Sequence, residues 1–186
     1  MYLHIICQVS SAVWCCSYTD GEGFWYTEKY PEEMFFYHWF EMASRYVQNP
    51  MVIGADLRNE LRGYINPVTN ETTPVTWGFG SSETDWKLAA EEAGRTVLDA
   101  NPNMLVIVEG IVSGGDLTAA VTAPVLLPIQ ERLVYSGHMY TTTPVISDMP
   151  WPLFEETMFL IQTFVKVPGH EYSAAFWFGE NYMIFY

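Results

Sequence analysis

The sequence predicts an α/β fold: a partial TIM (β/α)8 barrel of about five parallel strands with outer helices. Three observations lead there. Apolar runs of strand length alternate with longer amphipathic stretches, the order that builds a parallel sheet covered by helices. Several of those runs end abruptly in polar side chains, as barrel strands do where they deliver an active site. The chain has 186 residues, enough for one sizeable core but short of the ~250 of a complete barrel. No internal repeat, low-complexity segment or domain boundary interrupts it, so residues 1–186 read as one domain.

Leu3 to Cys7 reads as a short buried strand. Ser10, Ser11 and the stretch from Ser17 to Gly23 carry turn chemistry, so residues 8–30 form a long loop rich in aromatic residues. Pro31 opens a helix, and Glu32 and Glu33 suit its positive amino end. Phe35, Trp39, Met42 and Tyr46 recur at helical spacing, with Phe36, Phe40 and Ala43 beside them, forming a wide face for core packing. Asn49-Pro50 ends that helix, and the apolar run from Val52 follows, closing in Asp56-Leu57-Arg58-Asn59-Glu60. Residues 61–82 read as a second long loop. A helix is expected over Thr84 to Asp99, capped by Ser82 with Asp85 three residues on. Its buried face is Trp86, Ala89, Ala90, Ala93 and Val97. Met104 to Val108 is a strand that ends in Glu109-Gly110. Pro124 and Pro128 leave room only for a short helix within Asp116 to Thr122. Leu133 to Tyr135 is a strand leading to Ser136-Gly137-His138-Met139-Tyr140. A helix from Pro150 to Lys166, a turn from Gly169 to Ser173 and a last strand, Ala174 to Gly179, close the chain on Glu180.

Lys and Arg total 8 against 22 Asp and Glu, a formal net charge of −14. With no basic run, nucleic acid and anionic membrane surfaces are excluded as partners. No apolar run approaches the ~20 residues of a membrane span. The amino end has neither a cationic start nor a small-residue cleavage site, so no signal peptide is expected. Cys7, Cys15 and Cys16 are an odd number, poor material for a disulfide framework. Together with His4 they match none of the strong zinc signatures, and buried thiols or one disulfide are the expectation. No metal or cofactor is expected.

In a parallel barrel the ends Asn59-Glu60, Glu109, His138 with Tyr140, and Glu180 share one rim. Two carboxylates on one rim suit glycoside cleavage. One gives a proton to the leaving oxygen, and the other attacks the anomeric carbon.

These segments also resemble a family. Asp56-Leu57-Arg58-Asn59-Glu60 is similar to the acid/base motif of glycoside hydrolase family 5, the cellulase-like enzymes. Asn101-Pro102-Asn103 through Glu109-Gly110 is similar to that family's fifth strand, Leu133 to Tyr140 to its sixth, and Phe176-Trp177-Phe178-Gly179-Glu180 to its seventh. Trp14-Cys15-Cys16 and Asp20 to Tyr26 resemble the loop after the third strand in one branch. The resemblance implies a retaining hydrolase of β-linked glucan, mannan or a β-glycoside, extracellular in the full-length parent. It implies Glu60 as general acid/base and Glu180 as nucleophile. Asn59 would bind the sugar's 2-hydroxyl, and His138 and Tyr140 would line the site. Glu109 is expected as a hydrogen-bonding partner near the rim. Trp14 and Trp25 are candidate sugar platforms, as are Tyr26 and Trp77, with core or loop packing the alternative for each.

Departures from the family pattern are also legible. Cys7-Gln8 stands where the family has Asn-His, Leu61 where Pro often follows the acid/base, and Asn181-Tyr182 where Phe-Gly follows the nucleophile. The chain corresponds to the family's third strand through its seventh, without the second-strand Arg or the eighth-strand aromatic platform. Such a piece is expected to expose two sheet edges. The alternative function is a catalytically inactive remnant that binds carbohydrate at most.

Overall fold

The computed structural model describes residues 3–7, 17–140 and 175–182, except for the side chains of His4, Met139, Tyr140 and residues 175–182. In order, the elements are β1 (Leu3–Ile6), α1 (Glu32–Arg45), β2 (Val52–Asp56), β3 (Tyr64–Ile65), β4 (Thr72–Thr73), α2 (Trp86–Ala100), β5 (Leu105–Glu109), β6 (Leu133–Tyr140) and β7 (Ala175–Tyr182). The main sheet runs β1-β2-β5-β6-β7, and every neighbouring pair in it is parallel. This is the open arc of a barrel wall, with β1 and β7 at its two edges among the described residues.

Helix α1 starts after Pro31, whose φ of −65° leads into the first turn. It buries Phe35, Trp39 and Ala43. Phe40, expected on the same face, is exposed instead, because the stripe that meets the sheet and α2 is narrower than the run of aromatic residues. Helix α2 begins at Trp86, later than the expected Thr84. Its N-cap is Asp85 rather than Ser82, and the Asp85 carboxylate accepts the Lys87 amide at 3.1 Å. Trp86, Ala89, Ala90, Ala93, Gly94 and Val97 bury one face. The small residues let α2 lie close to the sheet. Its C-cap at Asn101 turns the chain straight into β5.

Within the expected second loop, β3 and β4 pair as a small antiparallel hairpin, Tyr64 against Thr73 and Ile65 against Thr72. The short helix expected within Asp116–Thr122 is a single 3-10 turn, Thr118–Val121. Strand β6 runs on through Ser136-Gly137-His138 to Tyr140 rather than ending at Tyr135. The helix expected over 150–166 and the turn at 169–173 lie outside the described residues.

Alternation along the strands divides the sheet into two faces. Ala55, Leu57, Val106, Val108, Leu133 and Tyr135 point outward and join α1 and α2 in one apolar core. Gly54 and Ile107 meet on the other face, where a Cβ at Gly54 would lie 2.9 Å from the Ile107 Cδ1. The same parity carries Asp56, Glu109, Ser136 and His138 to that inner face, all of them buried. Among the described residues, no helix is long and apolar enough to cross a membrane.

Candidate active site

The site forms at the carboxyl end of the sheet, where β2 leaves its pairing and turns. The Leu57 amide still bonds to the Ile107 carbonyl at 3.0 Å, and the Asn59 amide crosses to the Cys7 carbonyl at 2.9 Å. Arg58 is buried between them. Its Nε donates to the Phe24 carbonyl at 3.0 Å, its Nη1 to the Asn59 carbonyl at 3.0 Å, and its Nη2 to the Glu22 carbonyl. Burial pulls the Arg58 pKa down, and these backbone oxygens are what make a guanidinium tolerable there. Arg62 repeats the device. It is buried, donates to the Ser17 carbonyl at 3.1 Å and forms an ion pair with Asp20 at 3.0 Å. The two arginines tie the loop from Ser17 to Phe24 onto the turn that carries Asn59 and Glu60.

Glu60 adopts φ = 46°, a left-handed conformation that costs an L residue and is held only by its surroundings. Its amide donates to the Glu109 Oε2 at 2.7 Å. Its own Oε1 lies 3.1 Å from the His138 Nδ1. The other ring nitrogen of His138, Nε2, is 3.4 Å from the Glu109 Oε1. One buried imidazole therefore sits between two carboxylates. Burial pulls the His138 pKa down, but the contacts with Glu109 and Glu60 outweigh it and raise it to about 10. That direction favours the charged imidazole, which presents one N–H toward each carboxylate.

A third segment closes on His138 from the side. Gly114, at φ = +78°, lies so near that a Cβ there would meet the imidazole Cγ at 2.8 Å. The Gly114 carbonyl accepts the His138 amide at 3.0 Å, and the Ser113 amide bonds to the Leu61 carbonyl at 2.7 Å. On the far side β7 breaks register with β6. Gly137 pairs with Phe178 and Met139 with Asn181, so Gly179 and Glu180 together oppose His138. Such bulges recur beside active sites. The register thus sets the Glu180 backbone beside His138, at the same end of the sheet as Glu60.

Asn59 is buried, and its Oδ1 has no hydrogen-bond partner among the described residues. Cys7 stands at the end of β1 as a free, half-buried thiol whose pKa burial pushes up. Trp25 needs correction as a sugar platform. It is fully buried, its Nε1 donates to the Glu32 Oε1 at 2.7 Å, and its ring packs on Trp86 with centroids 5.5 Å apart. Trp77 is core as well, its Nε1 donating to the Ala123 carbonyl at 2.7 Å. Indoles with satisfied N–H groups and no exposed face cannot stack on a ligand. Trp14, Cys15, Cys16 and the side chains of Tyr140 and Glu180 lie outside the described residues. Glu109 is a hydrogen-bonding partner, as expected, but it sits fully buried under Glu60 rather than at the rim. The signal was its odd-numbered place on the strand, in phase with inward Ile107. No group of three or more His, Cys, Asp or Glu is placed to hold a metal among the described residues.

Known endoglucanases resemble this chain in sequence and in fold. An endoglucanase of Paenibacillus polymyxa is 41% identical over 138 residues, covering 68% of this chain and 32% of that protein. The endocellulase of the archaeon Pyrococcus horikoshii superposes with a TM-score of 0.70 at 32% identity, over 97% of this chain and 52% of that one. One of its structures holds cellotetraose. The catalytic domain of the major endoglucanase of Xanthomonas campestris pv. campestris superposes at 0.73 with 26% identity, over 97% of this chain and 51% of that domain. The chain thus spans about a third of the curated Paenibacillus relative and about half of each solved structure. The family described as Cellulase (glycosyl hydrolase family 5) matches residues 10–158, and with the partial barrel and its carboxylate-bearing rim this chain belongs to that family.

Proposed function

We propose that this chain carries the catalytic rim of a β-glucan hydrolase that works by a retaining mechanism, with Glu60 as acid/base and Glu180 as nucleophile. The observation that carries the proposal is the meeting of Glu60 and the Glu180 backbone around His138, from two strands that point the same way. In the first step Glu60 protonates the glycosidic oxygen while the Glu180 carboxylate attacks the anomeric carbon. The leaving sugar departs with that proton, and a glycosyl ester remains on Glu180. In the second step Glu60, now ionised, takes a proton from water, and the hydroxide released to the anomeric carbon displaces Glu180. Both carboxylates end as they began. This chemistry calls for the two carboxyl groups about 5–5.5 Å apart.

Asn59 supports the sugar-binding half of the proposal. Its buried amide oxygen offers an acceptor for a sugar hydroxyl, and burial strengthens that bond. The cellotetraose bound by the Pyrococcus endocellulase supports β-linked glucan as the substrate class. An extracellular setting is supported by the relative named as the major extracellular endoglucanase of Xanthomonas.

The test is a 2-deoxy-2-fluoro glycoside, which traps the covalent intermediate of a retaining enzyme. Intact mass and peptide mapping read the result. One adduct per chain on Glu180 is expected. Labelling only in a version lengthened at both ends would make this chain an inactive part of a working enzyme. Labelling of another residue in either version would overturn the assignment of Glu180.

A further inference from the structure

Glu109 is a carboxylate of the inner face that the proposed chemistry leaves unused. It is fully buried at the end of β5 and cannot touch a sugar. Its two oxygens nevertheless address both members of the Glu60–His138 pair. Oε2 accepts the Glu60 amide at 2.7 Å, and Oε1 lies 3.4 Å from the His138 Nε2. We propose that Glu109 is a positioning residue for the acid/base: it locks the strained backbone of Glu60 and balances the charge of the imidazole that touches the Glu60 carboxyl. The proposal rests on the reading of Glu60 as the proton donor.

The backbone half follows from the left-handed φ of Glu60. A non-glycine residue stays there only when its surroundings fix it. The bond from its amide to a buried carboxylate is of the strong, charge-assisted kind. Without that acceptor, the turn can relax toward an ordinary conformation and carry the carboxyl off His138.

The charge half follows from what surrounds the imidazole. Glu60 faces it from the turn after β2 and Glu109 faces it from β5. The segment 110–116 presents the Gly114 backbone to it, and β7 sets the Glu180 backbone opposite the His138 backbone. A cation in contact with a carboxyl group favours the ionised form, which is the wrong form for a proton donor. A second carboxylate on the far side of the ring offsets that pull. Glu109 holds the imidazole protonated and fixed, yet lets Glu60 keep its proton. Gly114 keeps the ring from swinging away, because even a methyl group there would collide with it.

Imidazole nitrogen resonances give a readout that needs no turnover. In the unmodified chain, the His138 signal is expected to titrate well above the ordinary value of about 6.5. Glu109→Gln keeps an oxygen for the Glu60 amide and removes the charge, so the His138 titration should fall by about one unit or more. In the form that turns over, the alkaline limb of kcat/KM should move to lower pH by about one unit, as Glu60 ionises more easily. Glu109→Ala removes the acceptor as well, and its kcat should drop about tenfold further across the whole pH range. An ordinary His138 titration in the unmodified chain, or one that Glu109→Gln leaves in place, overturns the proposal. Should Glu109→Gln fail to fold, Glu60→Gln decides. A His138 titration that stays raised without the Glu60 carboxyl supports Glu109, and a return to about 6.5 overturns it. Failure of both this chain and the lengthened version to trap the fluoroglycoside, with these titrations unchanged, would reject the proposed reaction and leave only the hold of Glu109 on the Glu60 amide and the His138 ring.

Discussion

The outer face of the sheet meets α1 and α2 through Ala55, Leu57, Val106, Val108, Leu133 and Tyr135, while the inner face of the same strands carries Asp56, Glu109, Ser136 and His138. Both faces are buried, but they are filled on different terms. Outside, apolar side chains pack against apolar side chains, and the polar atoms that are present find partners. The Tyr135 hydroxyl accepts the Val125 amide at 2.9 Å. Inside, charge is packed against charge, and the Ser136 Oγ has no hydrogen-bond partner among the described residues. Each unpaired polar atom costs stability. A period of two lets one strand do both jobs, with the outer residues holding the sheet together and the inner ones spending part of that stability on chemistry.

Substitutions on the two faces should therefore fail in different assays. The largest effect belongs to the inner face. Glu60→Gln should lower kcat by about 10²–10⁴-fold, the usual contribution of a general acid, a larger change than the loss of stability from its contact with His138. A matched loss of stability would break the contrast. Next comes the outer side. Trp86→Ala removes a fully buried ring of the core and should cost about 3–5 kcal/mol in urea unfolding. If activity at low temperature fell before stability did, the division between faces would be wrong.

The third test uses pH. The folded pKa of His138, raised from 6.5 to about 10, lies above its unfolded value. Its pairing with Glu60 and Glu109 is therefore fully present below about pH 6.5 and lost as pH rises through about 10. Melting temperatures from about pH 6 to 11 should fall over that window in the parent chain. The fall should be smaller in His138→Gln, where the Cys7 thiol and the Tyr135 hydroxyl still contribute at the alkaline end. The smallest effect is Ser136→Ala. It deletes a buried hydroxyl that has no partner and should change stability by less than about 1 kcal/mol in either direction. A larger loss would mean that the inner face depends on Ser136.

How much of this was legible in the sequence follows the same division. The apolar runs of β2 and β5 and the stripe of α1 could be read because their punctuation is sharp: Asn49-Pro50, Asn101-Pro102 and the abrupt polar residues after each strand. Only the first part of β6 shows in the sequence, since Ser136-Gly137-His138 looks like a turn. Tertiary pairing with β5 and β7 overrides that weak local preference. The hairpin of β3 and β4 is too short to show any period. Glu60 and His138 read as candidate site residues from their place after apolar strands, and the structure brings the two side chains into contact. That Glu109 lies beneath both was not legible, because depth is a property of the assembled sheet. Trp25 and Trp77 misled for a related reason. An indole reads the same in sequence whether it will face a ligand or a carbonyl.

Two other indoles carry a practical consequence. The Trp39 Nε1 donates to the Leu57 carbonyl at 3.2 Å, and the Trp86 Nε1 to the Glu109 carbonyl at 3.0 Å. Both grip the sheet from the helix side, three residues before Glu60 and at Glu109 itself. Dry, fixed indoles emit at short wavelength, and their ring protons exchange slowly with solvent. The molecule thus carries its own optical gauge of the turn that holds Glu60. A red shift in emission, or early deuteration of these two ring nitrogens, would report that the rim has loosened while the rest of the helical layer still stands.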